Sequence, residues 1–500
     1  MAFRTIDCRV WFDWDINGTY VNESANLVRC SGESRLAPPE SFISSSSGIV
    51  DRVDVELRNV SRRYSIFNDG GAAYHVPMYI ETTINGGASW QRVFTGLAQT
   101  PKELSRTYKD MATIVIECRS RDELLRQART STSQVEFSNR VTAGDTEADV
   151  IRKYLQNSGL VETADFVLDK GMHVIQYAWL DDESPLEDMW KLAAACGGRL
   201  YCGKDGKYYY ENMAHWSRAP HTVVQAAYDN SKWKRVEIWY EDDELYNIVT
   251  VEYSSRQIED SAIVWEPDEV IQVPANNTRA ITATFNSPIY GAPILVYNAA
   301  TSGGLDMNSY VSVSTTWYAQ RADILITNTH PTRAATVFPL EISGSVASGG
   351  PTADETRKSN LHGTNGSFFL TRGSRTRSLR GSVYVQSKAQ ASMLAQFLLD
   401  RHEYPRLFYR VSGVLGDGAR YLGDRISITE PSILSGTAEA IITSLRWKYE
   451  AKTYTMDFEA VDAENLYRYA TTSPKYFVIG GAGVGNQLGA AHVNRGRLFY

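Results

Sequence analysis

The chain has 500 residues, 43% of them apolar, with a formal net charge of −7 and a calculated pI near 5.7. That length exceeds what one hydrophobic core organises and predicts about three or four domains, while the acidic balance excludes a global electrostatic attraction to nucleic acid or to an anionic membrane. The 29 Tyr and 11 Trp outnumber the 16 Phe, and such amphipathic rings suit surfaces buried against partners.

Five cysteines, Cys8, Cys30, Cys118, Cys196 and Cys202, are odd in number, far apart and set in apolar strand or helix patterns. They predict reduced, buried thiols rather than a disulfide framework. The opening MAFRTIDCRVWFDW lacks a basic segment followed by an apolar one, and no run of about 18 apolar residues occurs. A soluble protein made in a cytoplasm, without a membrane span, is therefore expected. The sequons at Asn17, Asn22, Asn59, Asn276 and Asn365 are chance matches where no secretory signal precedes them.

Residues 1–130 read as a β domain, with strand-like runs at Arg9–Phe12, Val53–Leu57, Met78–Glu81 and Ile114–Ile116. Asn17-Gly18 and Asn85-Gly86-Gly87 supply hairpin turns, and Arg121–Leu125 ends the domain in a short helix. Residues 131–230 read as a small α/β domain. Asp145–Leu155 carries apolar residues at helical spacing, and Ser184-Pro185-Leu186-Glu187 offers a capping box, with Ser at N-cap, Pro at N1 and Glu at N3. That second helix runs to Cys196, stops at Gly197-Gly198, and leads into a hairpin turning at Lys204-Asp205-Gly206.

Strands return at 231–263. Residues 264–380, rich in Thr, Val and Ser, predict an inserted β-sandwich with long loops at Ser348–Pro351 and Gly363–Gly366. An amphipathic helix over Ser387–Arg401, with Met393, Leu394, Phe397 and Leu398 on one face, precedes further strands to about 470. Residues 471–500, including Gly480–Gly485, read as a Gly-rich arm. One internal echo stands out: Ala112–Cys118 followed by Asp122–Leu125 parallels Tyr454–Ala460 followed by Ala463–Tyr467. Both are strands leading into an acidic segment at the end of a β region, as two related barrels in one chain would show.

Candidate chemistry is sparse. Asp13–Gly18 opens like a calcium loop, but Ser24 stands where the bidentate Glu should be and the flanks are strand-like, so an Asn-Gly turn is the better reading. The carboxylates Asp181, Asp182, Glu183, Glu187 and Asp188 crowd a helix start, where capping and the macrodipole account for them. Cys196, Cys202 and His215 lack zinc-ligand spacing. The Gly480–Gly485 run fails the dinucleotide pattern at Asn486. Arg372, Arg375, Arg377 and Arg380 form the one dense basic cluster, a candidate contact to DNA or to a neighbouring subunit. No catalytic signature is visible, and neither an enzyme, a cofactor nor a metal is expected.

The order of segments resembles the tail-hub, or baseplate-hub, proteins of long-tailed bacteriophages. The resemblance rests on Val10–Asp15, Asp54–Ser65 and Val93–Leu97 in the first β region, on Trp179–Gly198 with the Lys204-Asp205-Gly206 hairpin in the second, and on Tyr421–Thr429 after the helix bearing Ala391, Leu394 and Ala395. It implies a mainly β chain with α+β character: tube-like barrel I at 1–130, the small α/β domain at 131–230, barrel II at 231–263 plus 381–470, and the sandwich-like insertion at 264–380. It further implies a homotrimer in the virion tail, joining the hexameric tail tube or distal tail protein to tape-measure, tip and fibre proteins around a channel for DNA ejection. A carbohydrate- or receptor-binding tip protein using exposed Trp and Tyr of 264–380 is the main rival, and a glycan hydrolase the second.

Overall fold

A computed structural model of the chain describes residues 5–36, 49–64, 75–105, 112–131, 145–241, 245–358, 374–402, 406–434, 436–463, 476–478 and 497–499. The architecture is mainly β with a few helices.

The first lobe holds β1 (Asp7–Phe12), β2 (Val21–Asn22), β3 (Leu27–Leu36), β4 (Ile49–Arg58), β5 (Val76–Thr83), β6 (Gln91–Ala98), β7 (Lys102–Ser105) and β8 (Ala112–Ser120), then α1 (Asp122–Gln127). Period-two alternation makes them strands: in β3, Cys30, Gly32, Ser34 and Leu36 are buried while Arg29, Ser31, Glu33 and Arg35 face outward. The Asn17-Gly18 turn joins β1 to β2, and Gly18 takes the positive φ of +84° that an L-residue resists.

The α/β unit follows with α2 (Glu147–Asn157), β9 (Phe166–Leu168), α3 (Pro185–Ala195), β10 (Arg199–Cys202) and β11 (Tyr208–Glu211). In α2 the capping pair is Thr146 and Asp149, whose carboxylate accepts from Thr146 N at 3.0 Å and from its hydroxyl at 2.7 Å. Ser184 caps α3 as expected, accepting from Glu187 N at 3.5 Å, but its own hydroxyl donates to Leu125 O, so the cap doubles as a tie to α1. Glu187 stays exposed.

After β12 (Ala226–Asp229) and β13 (Arg235–Glu241) the chain enters the insertion: β14 (Ile248–Ile258), β15 (Ala262–Trp265), β16 (Ile271–Val273), β17 (Asn277–Thr284), β18 (Ile289–Ala300), β19 (Val311–Trp317), β20 (Arg321–Asn328), β21 (Ala335–Lys358) and β22 (Thr376–Leu379). The β17–β20–β19 sheet and the N-terminal half of β21 with β15, β16 and β18 enclose a separate apolar core that includes Ile271, Ile324, Ile326, Val337 and Ile342. The second half of β21 pairs with β14 and forms a ribbon leading back to the main body. Ser348–Pro351, expected as a loop, lies inside the 24-residue β21. A bulge in β14 between Ser254 and Arg256 absorbs the irregularity, and a Cβ on Gly350 would meet Ser255 O at 2.4 Å, so glycine serves close strand approach there rather than a turn.

The chain returns through α4 (Lys388–His402) to β23 (Arg406–Leu415), β24 (Arg425–Thr429), β25 (Thr437–Glu450) and β26 (Thr453–Asp462). Here α4 departs from the one-sided helix expected. Gln390, Ala391, Leu394, Ala395, Phe397, Leu398 and the whole of Leu399–His402 are buried, because the β14–β21 ribbon packs on the helix as well as the main core. In the Gly-rich arm, β27 (Tyr476–Val478) pairs in parallel with β28 (Arg497–Phe499); Gly480–Gly485 lie outside the described residues.

Both β lobes belong to one sheet, ordered β13-β23-β26-β25-β3-β4-β8-β6-β5-β1-β2, with β24, β12 and β7 off that path. The echoed strands β8 and β26 sit two places from β3 on either side, and the pairings among the described residues join the lobes rather than ring each one separately. One apolar cluster runs through both lobes and the α/β unit.

Candidate functional site: the seam between the two β lobes

The seam is the antiparallel pairing of β25 with β3, seven residue pairs from Ser444↔Arg35 to Glu450↔Arg29. The N-terminal half of β25 pairs with β24 of its own lobe, and its C-terminal half crosses to the first lobe on the same edge. Leu445, Trp447 and Tyr449 point inward and are buried. Trp447 lies opposite Gly32, where a Cβ would stand 2.6 Å from the indole, so the ring covers bare backbone. Tyr449, opposite Cys30, donates its hydroxyl to Asp7 of β1 at 3.2 Å. Second-lobe side chains therefore complete the first lobe's interior.

The outward face is a lattice of ion pairs. One row of directly opposed residues reads Asp457, Arg446, Glu33, Arg52 and Arg119 across five strands. Arg446 reaches Glu33 at 2.9 Å across the seam, Arg52 reaches Glu117 at 3.3 Å, and Arg119 reaches the same Glu117 at 3.0 Å. Arg29 meets Glu56 at 2.7 Å, while Arg410 meets Glu459 at 2.7 Å and Glu237 at 3.5 Å. Interleaved signs leave this face with no single-sign field, although the chain as a whole is acidic.

A three-way junction braces the seam from the α/β side. The Lys204-Asp205-Gly206 hairpin tip inserts between the lobes: Lys204 Nζ donates to Gly418 O at 2.9 Å and Ala419 O at 3.2 Å, Thr95 Oγ1 donates to Lys204 O at 2.8 Å, and Arg121 donates to Gly206 O at 3.0 Å. Gly206 has φ +84° and would place a Cβ 2.7 Å from Thr95, so two constraints select glycine. Nearby, Tyr421 of the second lobe donates to Asp51 Oδ2 at 3.3 Å, and Ser34 hydrogen-bonds the other oxygen of Asp51. Burial pushes the Asp51 carboxyl up to about 7, against the lowering effect of those hydroxyls. The hairpin, Val93–Leu97 and Tyr421–Thr429, separate sequence elements of the resemblance, thus meet in one place.

The other singled-out residues fall elsewhere. Asp13 accepts from Asn17 N at 3.0 Å and Gly18 N at 2.7 Å, so the loop's own amides occupy its oxygens. Cys196 accepts from Gln390 at 3.4 Å, and His215 sits 2.7 Å from Asp169, whose carboxylate holds the imidazole pKa up. Among the described residues no group of three or more His, Cys, Asp or Glu is arranged to hold a metal ion. Arg372 lies outside the described residues; the Arg377 guanidinium lies over the Tyr246 ring at 5.3 Å, Arg380 pairs with Asp354 at 3.7 Å, and the Arg375 backbone bonds to Asn247. Cys8 and Cys30 are free and buried as expected, but sequence reading did not foresee that their sulfurs lie 3.5 Å apart although their strands are not neighbours in the sheet. It also missed Trp447, for which the one available signal was an aromatic on an alternating strand.

No protein-family model and no curated protein matches the chain. Among solved structures, it is similar to a tail protein from Neisseria meningitidis MC58, with 10% identity over 92% of this chain and 98% of that one, at a TM-score of 0.49. The 43 kDa tail protein of prophage MuSo2 from Shewanella oneidensis gives 10% identity, 92% and 99% coverage, and a TM-score of 0.48. A type VI secretion component of E. coli, described as structurally similar to the T4 tail proteins gp27 and gp5, gives 11%, 89% and 75%, and 0.39. At these values the function of this chain is left to its own residues.

Proposed function

We propose that the chain is a non-enzymatic structural hub at the distal end of a phage tail. In this reading three copies form a ring that joins the six-fold tail tube, or the distal tail ring, to the tip and fibres. The observation that carries it is the seam: each chain presents two β lobes side by side, with echoed strands at matching places about β3, so three chains offer six lobes to a six-fold partner. The ends of the sheet support the ring. β13 and β2 are paired on one side only among the described residues, and on β13 Tyr240 is largely exposed while Val236 and Ile238 pack against the protein's own core. Unpaired edges of this kind invite a neighbouring chain, and a closed ring covers them.

The ion-pair lattice is assigned to the channel wall. Its interleaved charges give DNA neither a continuous basic track nor a repulsive acidic one. The domain boundaries at 130, 230, 263, 380 and 470 belong to the same reading, as do the tape-measure and fibre partners and a subunit-contact role for Arg372, Arg375, Arg377 and Arg380. The carbohydrate-binding rival loses much of its platform on the sandwich, because Trp265, Tyr297 and Trp317 pack against the sandwich's own core.

Native mass spectrometry, followed by electron microscopy with tail-tube protein, tests the proposal. Trimers that cap tubes are expected. A chain that stays monomeric at high concentration and forms no ring with tube protein overturns it.

A further inference from the structure

A cleft of about 520 Å³ opens where the α/β unit, the insertion and the return segment meet, a volume and position suited to a small ligand. One face of α3 forms its floor, where Ala194 and Ala195 leave space beside Asp188 and Lys191. The segment Leu379–Val385 roofs it, and Tyr177 and Trp179 form a wall. Trp179 is a fixed plate: its indole N–H donates to Gln320 of the insertion at 3.1 Å, and the Arg256 guanidinium stands over its ring at 4.9 Å. The roof is pinned by Tyr384, whose hydroxyl donates to buried Asp188, and by Gln386, which receives the Gln176 and Tyr177 amides at 2.8 and 3.1 Å. Glu183 and Lys191 border the cleft, and among the described residues neither side chain is engaged in an ion pair or hydrogen bond.

The charge pattern selects the ligand. The cations Lys191, Arg380 and Arg256 at this cleft are matched in number by the carboxylates Glu183, Asp188 and Glu252, and Arg380 and Glu252 are already engaged by Asp354 and the Gly381 amide, so the cleft presents no net charge to attract an anion or a cation. A wholly apolar ligand would strand Glu183 and Lys191 without partners. A neutral polyol with apolar ring faces satisfies both demands, its C–H face on the aromatic wall and its hydroxyls on carboxylate, ammonium and amide. We propose that this cleft binds a neutral sugar, such as the terminal disaccharide of a glycan. This site does not depend on the hub reading: a chain that forms no ring leaves it standing.

Saturation-transfer NMR and tryptophan fluorescence on the full chain with maltose, lactose and N,N′-diacetylchitobiose test it. At least one sugar is expected to bind saturably, and Glu183→Gln and Lys191→Met are each expected to weaken binding about tenfold. Both residues are exposed, so the melting temperature should not change. Binding by none of the three sugars, binding untouched by either substitution, or a preference for oligolysine or inorganic phosphate overturns the proposal.

Discussion

The seam and the inserted sandwich are both β structure, yet they hold together in opposite ways. At the seam, side chains from one lobe are core residues of the other: Trp447 covers Gly32, and Tyr449 bonds to Asp7. The sandwich keeps its own core and touches the body through the β14–β21 ribbon, β22 and a few contacts such as Trp179 to Gln320. The shared core makes the two lobes one cooperative unit, whereas the sandwich is a module that the body carries.

That contrast breaks most sharply at Trp447. Trp447→Ala leaves a cavity over bare backbone at Gly32 and should cost about 3–5 kcal/mol, lowering the main unfolding transition while a separate sandwich transition stays put. Calorimetry that shows both transitions falling together would mean the cores are not independent.

Next is a pH effect at the junction. Asp51 has a folded pKa of about 7 against an ordinary 3.8, so its contribution to stability is fully present below about 4 and is lost as pH rises towards 7, on the order of 4 kcal/mol. Asp51→Asn should therefore be close to neutral at pH 4 and stabilising at pH 8. An equal change in denaturation midpoint at both values would contradict a buried, proton-holding Asp51.

The surface lattice should matter less. Arg446→Met removes the bridge to Glu33 across the seam, where partly exposed pairs contribute about 0–1 kcal/mol; a chemical-denaturation loss well above that would mean the lattice, rather than the core beneath it, holds the lobes together. The smallest effect is expected from excising 259–346. Ile258 and Ala347 are cross-strand partners, so an Asn-Gly turn can close the ribbon as a hairpin, and the remaining body should melt within a few degrees of the full chain by circular dichroism.

Much of the fold was legible from local pattern. Ser184, Pro185 and the Gly197-Gly198 stop delimit α3 because capping chemistry acts within one helical turn, and alternation marks β5 and β8 because side chains point to opposite faces at period two. The Thr, Val and Ser-rich stretch announced the sandwich. Ser348–Pro351 misled because Gly and Pro mark turns locally, yet here they serve a bulged ribbon whose partner strand lies far earlier in the chain, as in the Ser254 to Gly350 bond between residues 96 apart. For α4, local periodicity could not reveal that a second layer packs on its outer side.

What the sequence determined by itself was the long helices, with the cap of α3, and many of the strands, in a chain without a recognisable catalytic pattern. Only the tertiary structure decided which elements meet: Glu33 with Arg446, 413 residues apart, Cys8 with Cys30, and three scattered motifs at one hairpin tip. The physical reason is that helix caps and strand alternation are short-range steric and hydrogen-bonding effects. Pairing between distant strands is chosen by the fit of whole faces, such as an indole over a glycine, and no single stretch of chain contains both halves of that fit.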